Sequence, residues 1–190
     1  MAGASPSFSE VHIIRTLIRL QNRIGRKKLL REIGIGEGSI RTILKKLKTE
    51  GLIDSTKKGH KLNDSGFEYL NKYLKKFKIP FKIISDDIIE GKKIGIVVYK
   101  SSDKITTGVR ERDIAVRTGA SGALVLKYDD KLNKLKFPSN IQSIEDFLEF
   151  KNEIESMNFK FNAGDVLIVA FSNNYNVSEN AAFAIALSFN

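Results

Sequence analysis

The sequence predicts an α/β chain, α+β overall, in two domains: helices with a basic β-hairpin over residues 1–80, and an α/β domain with a mixed sheet over residues 81–190. Three observations predict it. Residues 26–66, RKKLLREIGIGEGSIRTILKKLKTEGLIDSTKKGHKLNDSG, read as two helices, a Gly-bearing turn, a basic hairpin and a helix cap. From about Phe81 the pattern changes to short apolar strands alternating with helices. Charge divides at the same place: residues 1–80 hold 18 Lys+Arg against 7 Asp+Glu, a net of +11, and residues 81–190 hold 14 against 15, a net of −1. At 190 residues, each half is long enough to bury a core of its own.

In the first half, Ser7 followed by Glu10 has the spacing of a capping box, and Val11, Ile14, Leu17 and Ile18 mark an amphipathic helix to about Asn22. A second helix spans about Arg26 to Ile33. Gly34, Gly36 and Gly38 punctuate the turn after it, where glycine accepts positive φ. A small residue at the mouth of the next helix also lets backbone N–H groups approach a phosphate. That third helix, roughly Glu37 to Glu50, puts Ile40, Ile43, Leu44 and Leu47 on one face and Arg41, Thr42, Lys45, Lys46, Lys48 and Thr49 on the other. A hairpin follows, Leu52 to Thr56 and His60 to Leu62, with Lys57, Lys58 and Gly59 at its tip and Lys61 just after. Asp64 or Ser65 then caps a helix with Phe67, Leu70, Leu74 and Phe77 along one side. Tyr69 and Tyr73 make a second stripe; one stripe is core and the other is open to a dimer seam.

This order is the layout of a winged helix-turn-helix. SIRTILKKLKTEGLI resembles a recognition helix running into the first wing strand, and GHKLNDSG resembles the second wing strand with the cap of the next helix. Over about the first 80 residues the chain is therefore similar to the winged helix-turn-helix transcription regulators. Most of the chain is similar to archaeal winged-helix proteins that carry a C-terminal domain of unknown function, judged by GVRERDIAVRTGASGALVL and the KFP that follows.

The resemblance and the charge split together imply double-stranded DNA as partner, since phosphate contacts supply most non-specific affinity. A major groove about 12 Å wide admits one helix. Arg41 and Thr42, near the helix start, are placed to reach base edges; Lys45, Lys46 and Lys48 to bond phosphates; Ser39 to do either. Lys57, Lys58, His60 and Lys61 would bring the wing to the backbone or minor groove. The competing reading of these lysines is a solvated helix face and a solvated turn. Paired half-sites favour a homodimer.

In the second half, Ile94 to Tyr99, Ala123 to Tyr128, Leu135 to Phe137 and Asp165 to Phe171 read as strands. Helices are expected at Arg110 to Thr118 and at Ile144 to Met157, the latter with Ile144, Phe147, Leu148 and Ile154 inward. Ser178 caps a closing helix, AAFAIALSF, apolar enough to pack on both sides. If Ile94 to Tyr99 and Val166 to Phe171 run parallel, the loops leaving their carboxyl ends share a crevice, the usual ligand position of open α/β sheets. Thr106, Thr107, Arg110, Arg112, Asp113, Asn173 and Asn174 would then hold a small anionic effector. The alternatives are ion pairs of the arginines with Glu111, Asp113 or Asp165, and plain turn chemistry for the Thr and Asn residues.

The sequence also sets exclusions. With no cysteine there is no disulfide or thiolate metal site, and His12 and His60 stand apart, so no metal and no cofactor is expected. GIGEGSIR lacks the Lys-Ser/Thr pair of a phosphate-binding loop, and GASGA reads as a helix C-cap leading into a strand. The second half has neither histidine nor cysteine, which removes nucleophilic catalysis with a His base, and an enzyme is not expected. MAGASPSF has no basic n-region, and no stretch approaches a membrane span, so a cytoplasmic protein is expected. The alternative function is a DNA-coating protein that binds without sequence preference and whose second domain only multimerises.

Overall fold

The structure is a computed structural model that describes residues 8–139 and 142–189. It divides into two compact units, Met1–Lys75 and Lys76–Asn190. The division falls five residues before the Pro80 boundary expected from composition. Phe77 accounts for the shift: it is buried, pairs with Val98 in a β-bridge and meets Phe183 edge to face, with ring centres 5.7 Å apart. It therefore packs in the second unit and not, as expected, on the apolar side of the preceding helix.

The first unit runs α1 (Glu10–Arg19), α2 (Arg26–Ile33), α3 (Glu37–Thr49), β1 (Ile53–Thr56), β2 (Gly59–Leu62) and α4 (Asp64–Leu74). Most of the apolar stripes read from spacing turn inward: Ile14, Leu17, Leu29, Ile33, Ile40, Ile43, Leu47 and Leu70 are fully buried, while Phe67 and Leu74 of α4 are half-buried. Each fully buried side chain contributes about 1.5–3 kcal/mol by leaving water. Arg15 is buried among them, its guanidinium donating to the carbonyls of Ile33 at 2.8 Å and Glu32 at 3.0 Å. It thereby closes carbonyls that the end of α2 leaves open, and Gly34, in the left-handed region at φ +76°, turns the chain out of that helix.

Two caps differ from expectation. Asn63, not Asp64 or Ser65, caps α4, its Oδ1 accepting from the Gly66 N–H at 3.0 Å while its Nδ2 donates to the Gly51 carbonyl at 2.9 Å. An amide can do both at once, which the carboxylate of Asp64 cannot. At α1, Ser9 is the N-cap and its N–H donates to His12 Nδ1 at 3.1 Å; the expected Ser7 lies outside the described residues. Tyr73, on the second stripe of α4, donates to Glu10 Oε1 at 2.9 Å and so ties α4 to α1.

The second unit runs β3 (Phe81–Ile83), β4 (Lys92–Val98), α5 (Val109–Arg117), β5 (Gly122–Asp129), β6 (Lys134–Lys136), α6 (Leu148–Ser156), β7 (Val166–Ser172) and α7 (Tyr175–Leu187). The sheet order is β3-β4-β7-β5-β6, and all four pairings are antiparallel. The mixed sheet expected from the alternation of strands and helices is thus corrected. β4 and β5 do run the same way across the α5 crossover, but β7 enters between them in the opposite sense, so the two never pair.

Both faces of this sheet are covered. On one, Val97, Leu126, Leu167 and Val169 join Leu135, Ile144, Phe150 and Ile154 in a single core cluster. On the other, α5 and α7 pack, and Ala181, Ala182, Phe183 and Ile185 of α7 are fully buried. Ser178 is not a cap: it sits inside α7, buried, and its hydroxyl donates to the Lys92 carbonyl at 2.6 Å, while Asn174 caps the helix. The expected helix from Ile144 to Met157 is broken at Phe147 (ψ 73°) into a 3₁₀ turn, Ile144–Asp146, and α6. The break rotates Phe150 into the core and leaves Leu148 62% exposed. Among the described residues no helix is long and apolar enough to cross a membrane.

Candidate nucleic-acid interface

The outward face of α3 carries Arg41, Thr42, Lys45, Lys46 and Lys48, all exposed, because the 3.6-residue period that buries Ile40, Ile43, Leu44 and Leu47 must turn them away. Three of these five side chains already hold local bonds. Arg41 Nη2 lies 3.2 Å from Glu37 Oε1, the Thr42 hydroxyl donates to the Gly38 carbonyl at 3.0 Å, and Lys46 Nζ stands 3.8 Å from Glu50. Ser39 is placed differently from expectation. It is only 8% exposed, in the first turn of α3, so it leaves the contact face.

β1 and β2 pair antiparallel from Ile53 opposite Leu62 to Thr56 opposite Gly59, which puts Lys57 and Lys58 at the turn. Both are exposed, as is Lys61. His60 is half-buried; its Nδ1 lies 2.8 Å from Ser55 Oγ, and its pKa is lowered by burial first and then by the charges of Arg26, Lys48 and Arg23. The histidine thus sits where the wing, α3 and the segment before α2 bring their cations together.

That meeting point exposes residues not expected from the sequence. A groove of about 640 Å³ runs between the start of α2 and the wing, lined by Arg26, Lys27, Lys28 and Arg31 on one side and Lys57, Lys58 and His60 on the other. Arg23 braces it, donating to Thr56 Oγ1 at 2.9 Å and to the Gly59 carbonyl at 3.2 Å. The signal was available: α2 has no acidic residue in its first turn, where the helix dipole ordinarily recruits one. Of the three cations there, Arg26 lies 3.4 Å from Glu37 and Lys28 3.7 Å from Glu32, exposed pairs weak enough to exchange for an external anion. Such a surface can bond several phosphates at once.

The second group of predicted residues is not brought together. Val98 stands opposite Val166 and Lys92 opposite Ser172, so the chain leaves β4 and β7 at opposite ends of the sheet, about 20 Å apart for seven-residue strands. Thr106, Thr107 and Arg110 lie at one end and Asn173 and Asn174 at the other, which corrects the shared crevice. Thr107 Oγ1 accepts from the Val109 N–H at 3.4 Å, and Asn174 accepts from the Asn176 N–H at 2.8 Å. Both are turn and cap chemistry. Arg110 donates to the Ser188 carbonyl at 3.3 Å; Arg112 and Asp113 are exposed on α5. Among the described residues neither arginine makes an ion pair within 4.0 Å. Asp165 instead accepts backbone N–H groups of Asn162 at 2.9 Å and Lys100 at 3.2 Å.

Residues 89–189 match the family model described as domain of unknown function (DUF4443), and residues 11–68 match that of the PH0730-like, N-terminal domain. Among solved structures, the hypothetical protein PH0730 from Pyrococcus horikoshii OT3 is similar along nearly its whole length. It is 26% identical, the match covers 96% of this chain and 93% of that one, and the TM-score is 0.83. No curated protein matches the chain.

Proposed function

We propose that this chain, which belongs to the family of the domain of unknown function DUF4443, is a sequence-specific DNA-binding transcriptional regulator. It acts in the cytoplasm as a homodimer, is not an enzyme, and answers to a small anionic effector in its second unit. The observation that carries the reading is the cationic groove between the start of α2 and the wing, whose His60 also feels the charge of Lys48 on α3. A scattered surface of equal charge would bind a polyanion without orienting it. Here the groove between the start of α2 and the wing would hold phosphates while the exposed start of α3, with Arg41 and Thr42, enters the major groove.

The mechanism divides the labour. Lys45, Lys46, Lys48, Lys57, Lys58 and Lys61 bond phosphates and release counterions, which gives affinity to any sequence. Arg41, with its fork of donors, reads guanine edges. A bound effector alters how two second units pack and hence the spacing of the paired α3 helices.

A second reading, a DNA-coating protein whose second unit only multimerises, is favoured by one observation: of the four exposed cations on α3, three are lysines, which hold phosphates as point charges and read bases poorly. One experiment separates the two. Purified full-length protein is incubated with fragmented DNA of its own genome at about 150 mM salt, where surface charge is screened over roughly 8 Å, and the retained DNA is sequenced. Enrichment of a few sites sharing an inverted repeat is expected. Uniform retention selects the coating protein, and no retention removes both.

A further inference from the structure

The second unit contains a cavity of about 700 Å³ that none of the predicted effector residues lines. It opens between the β5-β6 hairpin, α6 and the segment 158–162. Its floor is Leu135, Ile144 and Ile154, all buried members of the core cluster. One wall is aromatic: Tyr128 and Phe161 stack with ring centres 5.6 Å apart at 21°, and Phe159 meets Phe161 edge-on at 6.2 Å. The rim is cationic. Lys151 is neutralised by Glu145 at 2.5 Å and Glu155 at 4.0 Å, whereas Lys134 and Lys160, among the described residues, make no ion pair.

An apolar, partly aromatic floor beneath two ammonium groups that make no ion pair among the described residues, with Glu155 as the one carboxylate among the lining residues, selects a definite ligand chemistry. A neutral apolar molecule would leave the lysines unused, and a bare phosphate or sulfate would leave the floor wet. We propose that this cavity binds a small organic anion with a planar apolar body, its ring system against Tyr128 and Phe161 and its acidic group at Lys134 and Lys160. A concave site of this size, with apolar and aromatic walls beside Asn133, Asn158 and Asn162 as further polar groups, suits a small molecule. The inference rests on the regulator reading only in calling that ligand the effector; binding itself does not depend on it.

The test uses two fluorescent probes that differ mainly in charge, 1-anilinonaphthalene-8-sulfonate and the neutral N-phenyl-1-naphthylamine, titrated into the full chain. Saturable binding of the sulfonate at one site per chain is expected, about 10-fold tighter than the neutral probe, a gap of about 1.4 kcal/mol. The double charge reversal Lys134→Glu with Lys160→Glu, at exposed or half-exposed positions that leave the melting temperature unchanged, should erase that preference. Arg110→Glu with Arg112→Glu should not alter it. Equal affinity for the two probes, or a sulfonate affinity indifferent to the Lys134 and Lys160 changes, overturns the proposal. DNA retention by the same proteins is scored separately, so failure of the cavity and failure of the regulator reading give different results.

Discussion

Ile24 and His60 exchange both backbone hydrogen bonds, Ile24 N–H to the His60 carbonyl at 3.0 Å and His60 N–H to the Ile24 carbonyl at 2.9 Å. The pair stitches the segment before α2 onto the wing and so fixes the width of the cationic groove. Gly59 makes the approach feasible. At φ +124°, a Cβ there would lie 2.5 Å from the Ile24 carbonyl oxygen, closer than atoms can stand. Gly59→Ala is therefore expected to lower the stability of the first unit by about 2 kcal/mol or more, a fall of roughly 8–16 °C in its melting temperature. Calorimetry of the full chain checks this; an unchanged melting profile would mean that the wing is not held by this pair.

His60 titrates below its ordinary value of 6.5, because burial and the charges of Arg26, Lys48 and Arg23 all oppose a further proton. The folded chain therefore holds the neutral ring, and the stability this contributes is present above pH 6.5 and lost as pH falls through 6.5 toward the lowered value. DNA reverses the sign for binding. A phosphate in the groove offsets those cations and raises the pKa, so the complex takes up a proton and affinity rises as pH drops. Binding about 3- to 10-fold tighter at pH 6.0 than at pH 7.5 is expected, and His60→Gln should flatten the dependence. A wild-type affinity that does not change between these pH values would place the ring away from phosphate.

Glu37 is an acidic residue at the start of α3, inside the basic tract. Its Oε1 is shared by Arg41 Nη2 at 3.2 Å and Arg26 Nη2 at 3.4 Å. These are exposed ion pairs and contribute little to stability, about 0–1 kcal/mol, but they occupy the arginine best placed to reach a base. Glu37→Gln is expected to leave the melting temperature nearly unchanged and to tighten binding to random DNA about 3- to 10-fold at low salt. The gap between random and specific DNA should narrow as a result. Filter-binding curves at two salt concentrations measure both; weaker binding by the variant would show Glu37 to be needed for orienting Arg41.

The first unit was largely legible in the sequence because its helices are amphipathic and local: period alone placed Ile40, Ile43, Leu44 and Leu47 inside and the cations outside. What escaped was long-range. The Ile24–His60 bridge joins positions 36 apart, and Asp87 caps α6 by accepting from Glu149 and Phe150 N–H groups at 2.9 and 3.1 Å across more than 60 residues. No local pattern announces either. In the second unit, strands buried on both faces are apolar throughout, so spacing reveals where they are but not which way they run. The direction of β7 then decided whether Arg110 and Asn173 could share a site. The cavity beside Tyr128 was missed for the same reason, since Tyr128, Ile154 and Phe161 meet only once the sheet is ordered.

Gly38 separates the two uses of a small residue at the start of α3. A Cβ there meets nothing within 4 Å, and the position is inside the helix. On folding grounds alone, Gly38→Ala should stabilise the first unit by about 0.5–1 kcal/mol, because alanine loses less backbone entropy in a helix. If the missing side chain serves instead to let the α3 backbone approach a phosphate, the same methyl group stands between them and weakens DNA binding. Both effects are expected together: a melting temperature raised by roughly 2–8 °C and DNA affinity lowered about 10-fold, or about 1.4 kcal/mol. A stabilised variant with undiminished affinity would mean that the DNA backbone does not come close to this turn, and that phosphate anchoring falls to the α2 start and the wing.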